Sequence, residues 1–161
     1  MLPTHQISPC LWFDDRIEEA VKFYIKVFGG ELHETTYYGD AVPQQKGKVL
    51  TITFTLQDQI FVALNGGPHF KFTEAVSFYV RCETQAEVDN YWDKLTADGG
   101  AESQCGWCKD KYGLSWQIAP TPLLRMISDR DSAKAQRAMQ AMMTMKKIDI
   151  AAIEKAHAGA A

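Results

Sequence analysis

Residues 7–13 read ISPCLWF, and residues 75–81 read AVSFYVR. Each is a short apolar run of the kind that forms a strand. The first ends at Asp14-Asp15 and the second near Glu83-Thr84, and the two begin 68 residues apart. The segments just after them are also alike. EEAVKFYIKVFGGE sets Ala20, Phe23, Tyr24, Val27 and Phe28 at helical spacing, and AEVDNYWDKLTADGGA does so with Val88, Tyr91, Trp92 and Leu95. Phe23 and Tyr91 are again 68 apart. Both segments run out in Gly-Gly, at Gly29-Gly30 and Gly99-Gly100, where glycine suits a left-handed helix end. Asp15 and Thr84 are the expected N-caps. Self-similarity at this period marks a duplicated module.

Strands come after each helix. ELHETTYY, KVLTITFTL and QIFVALN fill the first half, with a hairpin turn at Gln57-Asp58. In VLTITFTL, Leu50, Ile52, Phe54 and Leu56 share one face, and Thr51, Thr53 and Thr55 the other. The second half offers AESQ, GWCKD and LSWQIAP, with KDKYG as a turn. The chain therefore reads β-α-β-β-β twice, which predicts an α+β fold with helices on one side of each sheet. The modules span about residues 5–68 and 75–122, inside a domain of residues 1–125. A helical tail occupies residues 126–161. There Ser128, Asp129 or Asp131 caps a helix whose apolar stripe is Ala135, Met139, Met142 and Met143, and DIAAIEKAHAG forms a second short helix.

Composition narrows the function. With 161 residues, 46% of them apolar and 23% charged, the chain can bury a proper core. Its net charge is −3 and no Lys/Arg stripe is present, which argues against a nucleic-acid partner. No apolar run reaches the roughly 18 residues of a membrane helix. The start, MLPTHQISPC, lacks the pattern of a secretory signal, so a cytoplasmic location is expected.

CGWC at residues 105–108 poses a separate question, because Cys-x-x-Cys can do redox or metal chemistry. A reactive motif of that type opens a helix, whose N-terminus lowers the thiol pKa. KDKYG comes next here instead, and the remaining candidate ligands, Cys10, Cys82, His5, His33, His69 and His157, are scattered. CGWC is therefore expected on a short strand leading into the last hairpin.

PCLWFDD, EEAVKFY, ETQAEVDNYWDKL and CGWCKDKYGLSWQI, set in two β-α-β-β-β halves, resemble the vicinal oxygen chelate superfamily. That superfamily includes glyoxalase I, extradiol dioxygenases and bleomycin resistance proteins. The motifs are closest to its PhnB-like subgroup, often labelled 3-demethylubiquinone-9 3-methyltransferase. The resemblance covers about residues 5–125. It implies the glyoxalase/bleomycin resistance fold, with U-shaped sheets forming a cleft, often in a homodimer. It also implies four metal ligands on the first and last strands of each half. The matching positions are Ser8, Ala63, Ser77 and Gln117, and only Gln117 has a suitable side chain. A register slip on the first strand brings in His5, which still leaves too few donors. The expectation is therefore no metal and no cofactor.

Strand parity then names a ligand site. Ser8, Cys10 and Trp12 share a face, as do Ser77, Tyr79 and Arg81. Ile7, Leu11 and Phe13, and Val76, Phe78 and Val80, are expected under the helices. Cys10, Trp12, Ser77, Tyr79, Trp107 and Gln117 are expected to line one cleft for a small aromatic or amphipathic molecule. No catalytic residue is identified, and catalysis itself stays open. Two other activities are compatible with the resemblance. One is a metal-dependent lyase, isomerase or dioxygenase. The other is the methyl transfer of the subgroup label, although no Gly-x-Gly turn for S-adenosylmethionine comes after any strand.

Overall fold

The computed structural model describes residues 6–160. The chain forms two compact units, Met1–Lys71 and Phe72–Ala161. Each contains one β-α-β-β-β module, so the α+β duplication holds.

In the first unit, β1 (Cys10–Phe13), β2 (Gly30–Tyr37), β3 (Val49–Leu56) and β4 (Gln59–Asn65) form a sheet in the order β1-β4-β3-β2. β1 runs parallel to β4, and the other neighbours are antiparallel. Helix α1 (Ile17–Phe28) connects β1 to β2 and buries Ile17, Ala20, Val21, Tyr24, Val27 and Phe28. Leu11, Phe13, Ile52, Phe54, Phe61 and Ala63 are buried on the facing side of the sheet. Each large apolar side chain removed from water in this way contributes about 1.5–3 kcal/mol. Gly30 is required where α1 passes into β2, because a Cβ there would lie 1.9 Å from the Thr55 carbonyl oxygen.

The second unit repeats the plan with β5 (Ser77–Cys82), α2 (Gln85–Thr96), β6 (Ala101–Glu102), β7 (Trp107–Lys109) and β8 (Ser115–Pro120). Its sheet order is β5-β8-β7-β6. Val88, Trp92 and Leu95 are the buried face of α2. The last hairpin turns around Asp110, which is 2% exposed. Its carboxylate accepts from the Tyr112 and Leu114 amides and from the Trp116 indole, at 2.8, 3.1 and 2.9 Å.

Several local expectations need correction. Ile7 and Val76 are 89% and 63% exposed, since both precede their strands and reach no helix. The cap of α1 is Arg16, not Asp15, and no side chain caps it. The helices do stand 68 residues apart, Ile17 against Gln85, but the preceding strands end 69 apart, at Phe13 and Cys82. The additional residue in the first β–α loop is absorbed by two left-handed residues, Asp15 at φ 58° and Arg16 at φ 53°. Thr84 does cap α2, in a reciprocal box with Glu87. Gly29 ends α1 with φ 75°, whereas α2 ends at an extended Ala97 and the left-handed turn comes later, at Asp98 and Gly99.

The tail holds three helices: α3 (Thr121–Ile127), α4 (Ser132–Met143) and α5 (Ile150–Ala158). Asp131 is the cap of α4. The packed face of α4 centres on Ala138, fully buried, rather than on the methionines; Met139 and Met143 are 37% and 64% exposed. A small residue lets α5 approach closely enough for Arg137 to donate to the carbonyls of Ala156 and His157.

CGWC is where the tail docks. The Cys105 and Gly106 amides donate to the Met145 and Lys146 carbonyls, both at 2.8 Å. Gly106 is needed there, as a Cβ would lie 2.6 Å from the Ile118 carbonyl oxygen. The Gln85 amide clasps the same segment, donating to the Ile148 carbonyl and accepting from the Ile150 N–H, both at 2.9 Å. Trp107-Cys108 enters β7, as expected. Cys108 is buried, and its desolvation, with Asp110 and Glu102 nearby, pushes the thiol up to about 12. That is the opposite of what a redox thiolate needs.

Candidate functional site

Each sheet has one face against its helix and one far face. Ladder register decides which residues stand together on the far faces.

On the second sheet, Tyr79, Gln117 and Trp107 are direct neighbours across β5, β8 and β7. The next row is Ser77, Ser115 and Lys109, with Ala101 beyond it on β6. Trp116, Ile118, Cys108 and Cys82 point the other way and are buried. The four expected residues of this unit therefore share one face. Gln117 Nε2 donates to Ser77 Oγ at 2.9 Å, which fixes the amide and leaves its oxygen available. Tyr79 is 48% exposed, and Trp107 and Gln117 are half-buried.

A cavity of about 220 Å³ opens at the β6–β7 edge of this sheet, lined by Glu74, Ala101, Ser103, Trp107, Lys109 and Ser115 among others. Glu74 and Lys109 form an ion pair over it. The Lys109 ammonium holds the Glu74 carboxyl below the usual carboxylate range. Ser115 is 1% exposed, and its Oγ is the only buried side-chain polar atom without a hydrogen-bond partner among the described residues. Ser115, Lys109 and Glu74 were not among the expected site residues. Parity alone places Ser115 beside Gln117, but a missing hydrogen bond leaves no mark in a sequence.

On the first sheet, Cys10 and Trp12 also share the far face, with Val62 and Leu64 as their β4 neighbours. Ala63, the position matched to a metal ligand, pairs with Leu11 and is fully buried on the helix side. That placement was off by one residue, so parity reverses it. Trp12 is pinned within its own unit. Its indole N–H donates to the Gly67 carbonyl at 2.8 Å, and its ring meets Phe70 edge-on with centroids 4.9 Å apart. Cys10 is exposed at the strand start, and partial desolvation raises its thiol. The polar groups on this face pair among themselves: Thr36 with Thr51 at 2.6 Å, and His33 with Thr55 at 3.1 Å. A larger groove of about 790 Å³ lies instead beside the start of α1, between Arg16, Lys22, Tyr37 and Lys48. Its buried polar residue, Asn65, is satisfied by the Asp15 amide and the Val49 carbonyl.

Among the described residues at the matched positions, Ser8, Ala63, Ser77 and Gln117, only Gln117 has a side chain of a ligand type. Among the described residues, no group of three or more His, Cys, Asp and Glu is placed to hold a metal ion. His5 lies outside the described residues. No helix among them is long and apolar enough to cross a membrane.

Comparison with known proteins agrees with this architecture. A family model described as 3-demethylubiquinone-9 3-methyltransferase matches residues 5–119. A putative 3-demethylubiquinone-9 3-methyltransferase, PhnB protein, from Bacillus cereus is 35% identical; the alignment covers 73% of this chain and 100% of that one, with a TM-score of 0.66. A protein from Pseudomonas aeruginosa shares the fold at 20% identity, with 73% and 98% covered and a TM-score of 0.61. The fosfomycin resistance protein FosX from Listeria monocytogenes, solved with Mn(II) and sulfate, shares it at 13% identity, with 73% and 90% covered and a TM-score of 0.52. Among curated proteins none matches.

Proposed function

Since the chain belongs to the 3-demethylubiquinone-9 3-methyltransferase family, the PhnB-like branch of the vicinal oxygen chelate superfamily, we propose that it keeps the scaffold and binds a small aromatic or amphipathic molecule without a metal. The carrying observation is the far-face row Tyr79–Gln117–Trp107. Two aromatic rings flank an amide whose nitrogen is already held by Ser77 and whose oxygen is free to accept. Apolar walls with a few placed polar groups are the usual make-up of a small-molecule site. Cys10 and Trp12 share the far face of the first sheet. We further propose that the protein is a cytoplasmic homodimer with no nucleic-acid partner. Exposed Met139 and Met143 add apolar surface that a second copy can cover.

The test combines three measurements on untagged protein. Elemental analysis is expected to find no stoichiometric manganese, iron, nickel or zinc. Binding of single-ring aromatic compounds, followed by amide chemical shifts, is expected to perturb Tyr79, Trp107 and Gln117. Light scattering is expected to give twice the 18.1 kDa chain mass. Stoichiometric metal on the purified protein, or ligands that leave the three residues unmoved, would sink this reading. The family description itself favours one second reading, methyl transfer; S-adenosylmethionine binding by calorimetry would support it.

A further inference from the structure

The geometry points to the class of ligand: an aryl carboxylate, or an aryl ring bearing an equivalent anionic oxygen, with its anionic group on Ser115 and Lys109 and its ring against Trp107. This inference rests on the far face of the second sheet being the binding site, and it adds the charge of the ligand.

Three observations carry it. The first is the Ser115 hydroxyl. A buried hydroxyl without a partner is costly and therefore rare. Here it lines the cavity, on the same strand row as Lys109. The Ser115 Oγ has no exposed surface, so an acceptor reaches it only when the Glu74–Lys109 pair at the cavity opens. The second is the Glu74–Lys109 ion pair. Among the described residues, Lys109 is the only cationic one lining the cavity. Its present partner, Glu74, lies before β5 and is 61% exposed, so it can swing out to water at little cost. A carboxylate already sits on the ammonium, and a ligand carboxylate can replace it like for like. The charge count in the cavity is then unchanged. The third is size. A cavity of about 220 Å³ is smaller than the roughly 300–1,000 Å³ of drug-sized sites. It admits one ring with a short substituent. The other carboxylate of the lining, Glu102, is engaged with other partners, accepting from the buried Trp92 indole at 3.0 Å and facing Lys146 at 3.7 Å. It does not compete for Lys109.

A neutral ligand would leave Glu74 in place and gain neither contact. An anion gains both contacts, and this difference makes the inference testable with simple probes.

The experiment titrates the full chain with benzoate and, separately, with benzamide, reading 1H–15N shifts of the backbone and the tryptophan indoles. Benzoate is expected to move Lys109, Ser115 and the Trp107 indole, and to bind about tenfold more tightly than benzamide, in line with hydrogen bonds to charged groups. Lys109→Met is expected to remove that preference. Glu74→Gln is expected to strengthen benzoate several-fold by removing the internal competitor. Ser115→Ala is expected to weaken benzoate about fivefold while melting no earlier than the parent, since it deletes an unsatisfied hydroxyl. That combination separates a binding role from a packing role. Benzamide binding as tightly as benzoate, or benzoate affinity unchanged in Ser115→Ala and Lys109→Met, overturns the inference and leaves the small-molecule reading standing. Failure of both probes and of every other single-ring compound at these residues overturns both.

Discussion

The two modules have the same strand order and opposite far faces. In the first, polar groups find partners inside the unit: threonine with threonine, His33 with Thr55, and the Trp12 indole with the Gly67 carbonyl. In the second, a buried serine hydroxyl is left over beside an ion pair and a cavity. Duplication fixes the scaffold, because both copies must bury the same helix stripe against the same sheet face. It does not fix the far face, which the core never touches. The first copy has used that freedom to close itself, and the second to stay incomplete. The hairpins show the same contrast. A two-residue turn with Gln57 at φ 52° suffices between β3 and β4, whereas the β7–β8 turn is built around a buried carboxylate.

The largest expected effect tests that hairpin. Asp110→Ala deletes the acceptor for two amides and one indole, and the Leu114 and Trp116 bonds are buried. Each buried donor left unpaired costs about 1–3 kcal/mol, so a total loss of about 3–5 kcal/mol is expected in chemical denaturation. Hydrogen exchange is expected to speed up in β7 and β8 and to leave β3 and β4 unchanged. A loss under about 1 kcal/mol, the lower end for one unpaired donor, would mean that the turn holds itself without Asp110.

A smaller effect probes the self-closed face. At Gly66, a Cβ would lie 2.3 Å from the Trp12 ring. Gly66→Ala must therefore displace the indole or the loop, at a cost of about 1–3 kcal/mol, typical of overpacking. The Trp12 indole signal is expected to shift as its bond to Gly67 breaks. By contrast, a Cβ at Gly113 meets nothing within 4 Å, so Gly113→Ala carries only the strain of its φ of 85°. If the two variants lose equal stability, the Trp12 pocket is not closed.

How much of this is legible in the sequence depends on what each residue answers to. The two stripes ending in Gly-Gly answer to helix periodicity, and the alternation in VLTITFTL answers to the pleat, so module order and core faces can be read. Strand parity likewise puts Ser77, Tyr79, Trp107 and Gln117 on one face. Ala63 is misplaced by sequence reasoning because its register is set by β1, a parallel neighbour in the sheet that lies some fifty residues earlier in the chain. For Met139 and Met143, apolar character alone does not say which side of α4 meets α5; the close fit at Ala138 decides that. CGWC looks like chemistry and serves as a dock for the tail, a role set by backbone hydrogen bonds that any residue pair of that conformation could make. The difference of one loop residue between the copies, absorbed at Asp15-Arg16, is hidden by the constant helix offset. Ser115 is invisible for the opposite reason: its significance is a bond it does not make.

The smallest effect concerns acid. Four carboxyls of the second unit, Glu74, Glu87, Asp89 and Asp129, are held below their usual range. Glu74 is lowered mainly by a hydrogen bond from Lys109, and Glu87 by the Glu83 and Thr84 amides it caps. Asp89 is lowered by Gln85 and then Lys147, and Asp129 by the Asp131 amide and then His157. A folded-state pKa below the unfolded one means that the group stabilises the protein above its unfolded pKa, about 4 for these residues. That contribution is lost as pH falls through the carboxylate range. All four groups are near the surface, where solvent and salt weaken such bonds, so the loss at each is small. Between about pH 5 and 3 the amides at the start of α2 and in the Asp89-clasped tail segment are expected to exchange faster, and added salt is expected to shrink the effect. If instead exchange quickens first around α1 and β2, the added cost of acid lies in the first unit and the contrast between the copies is reversed.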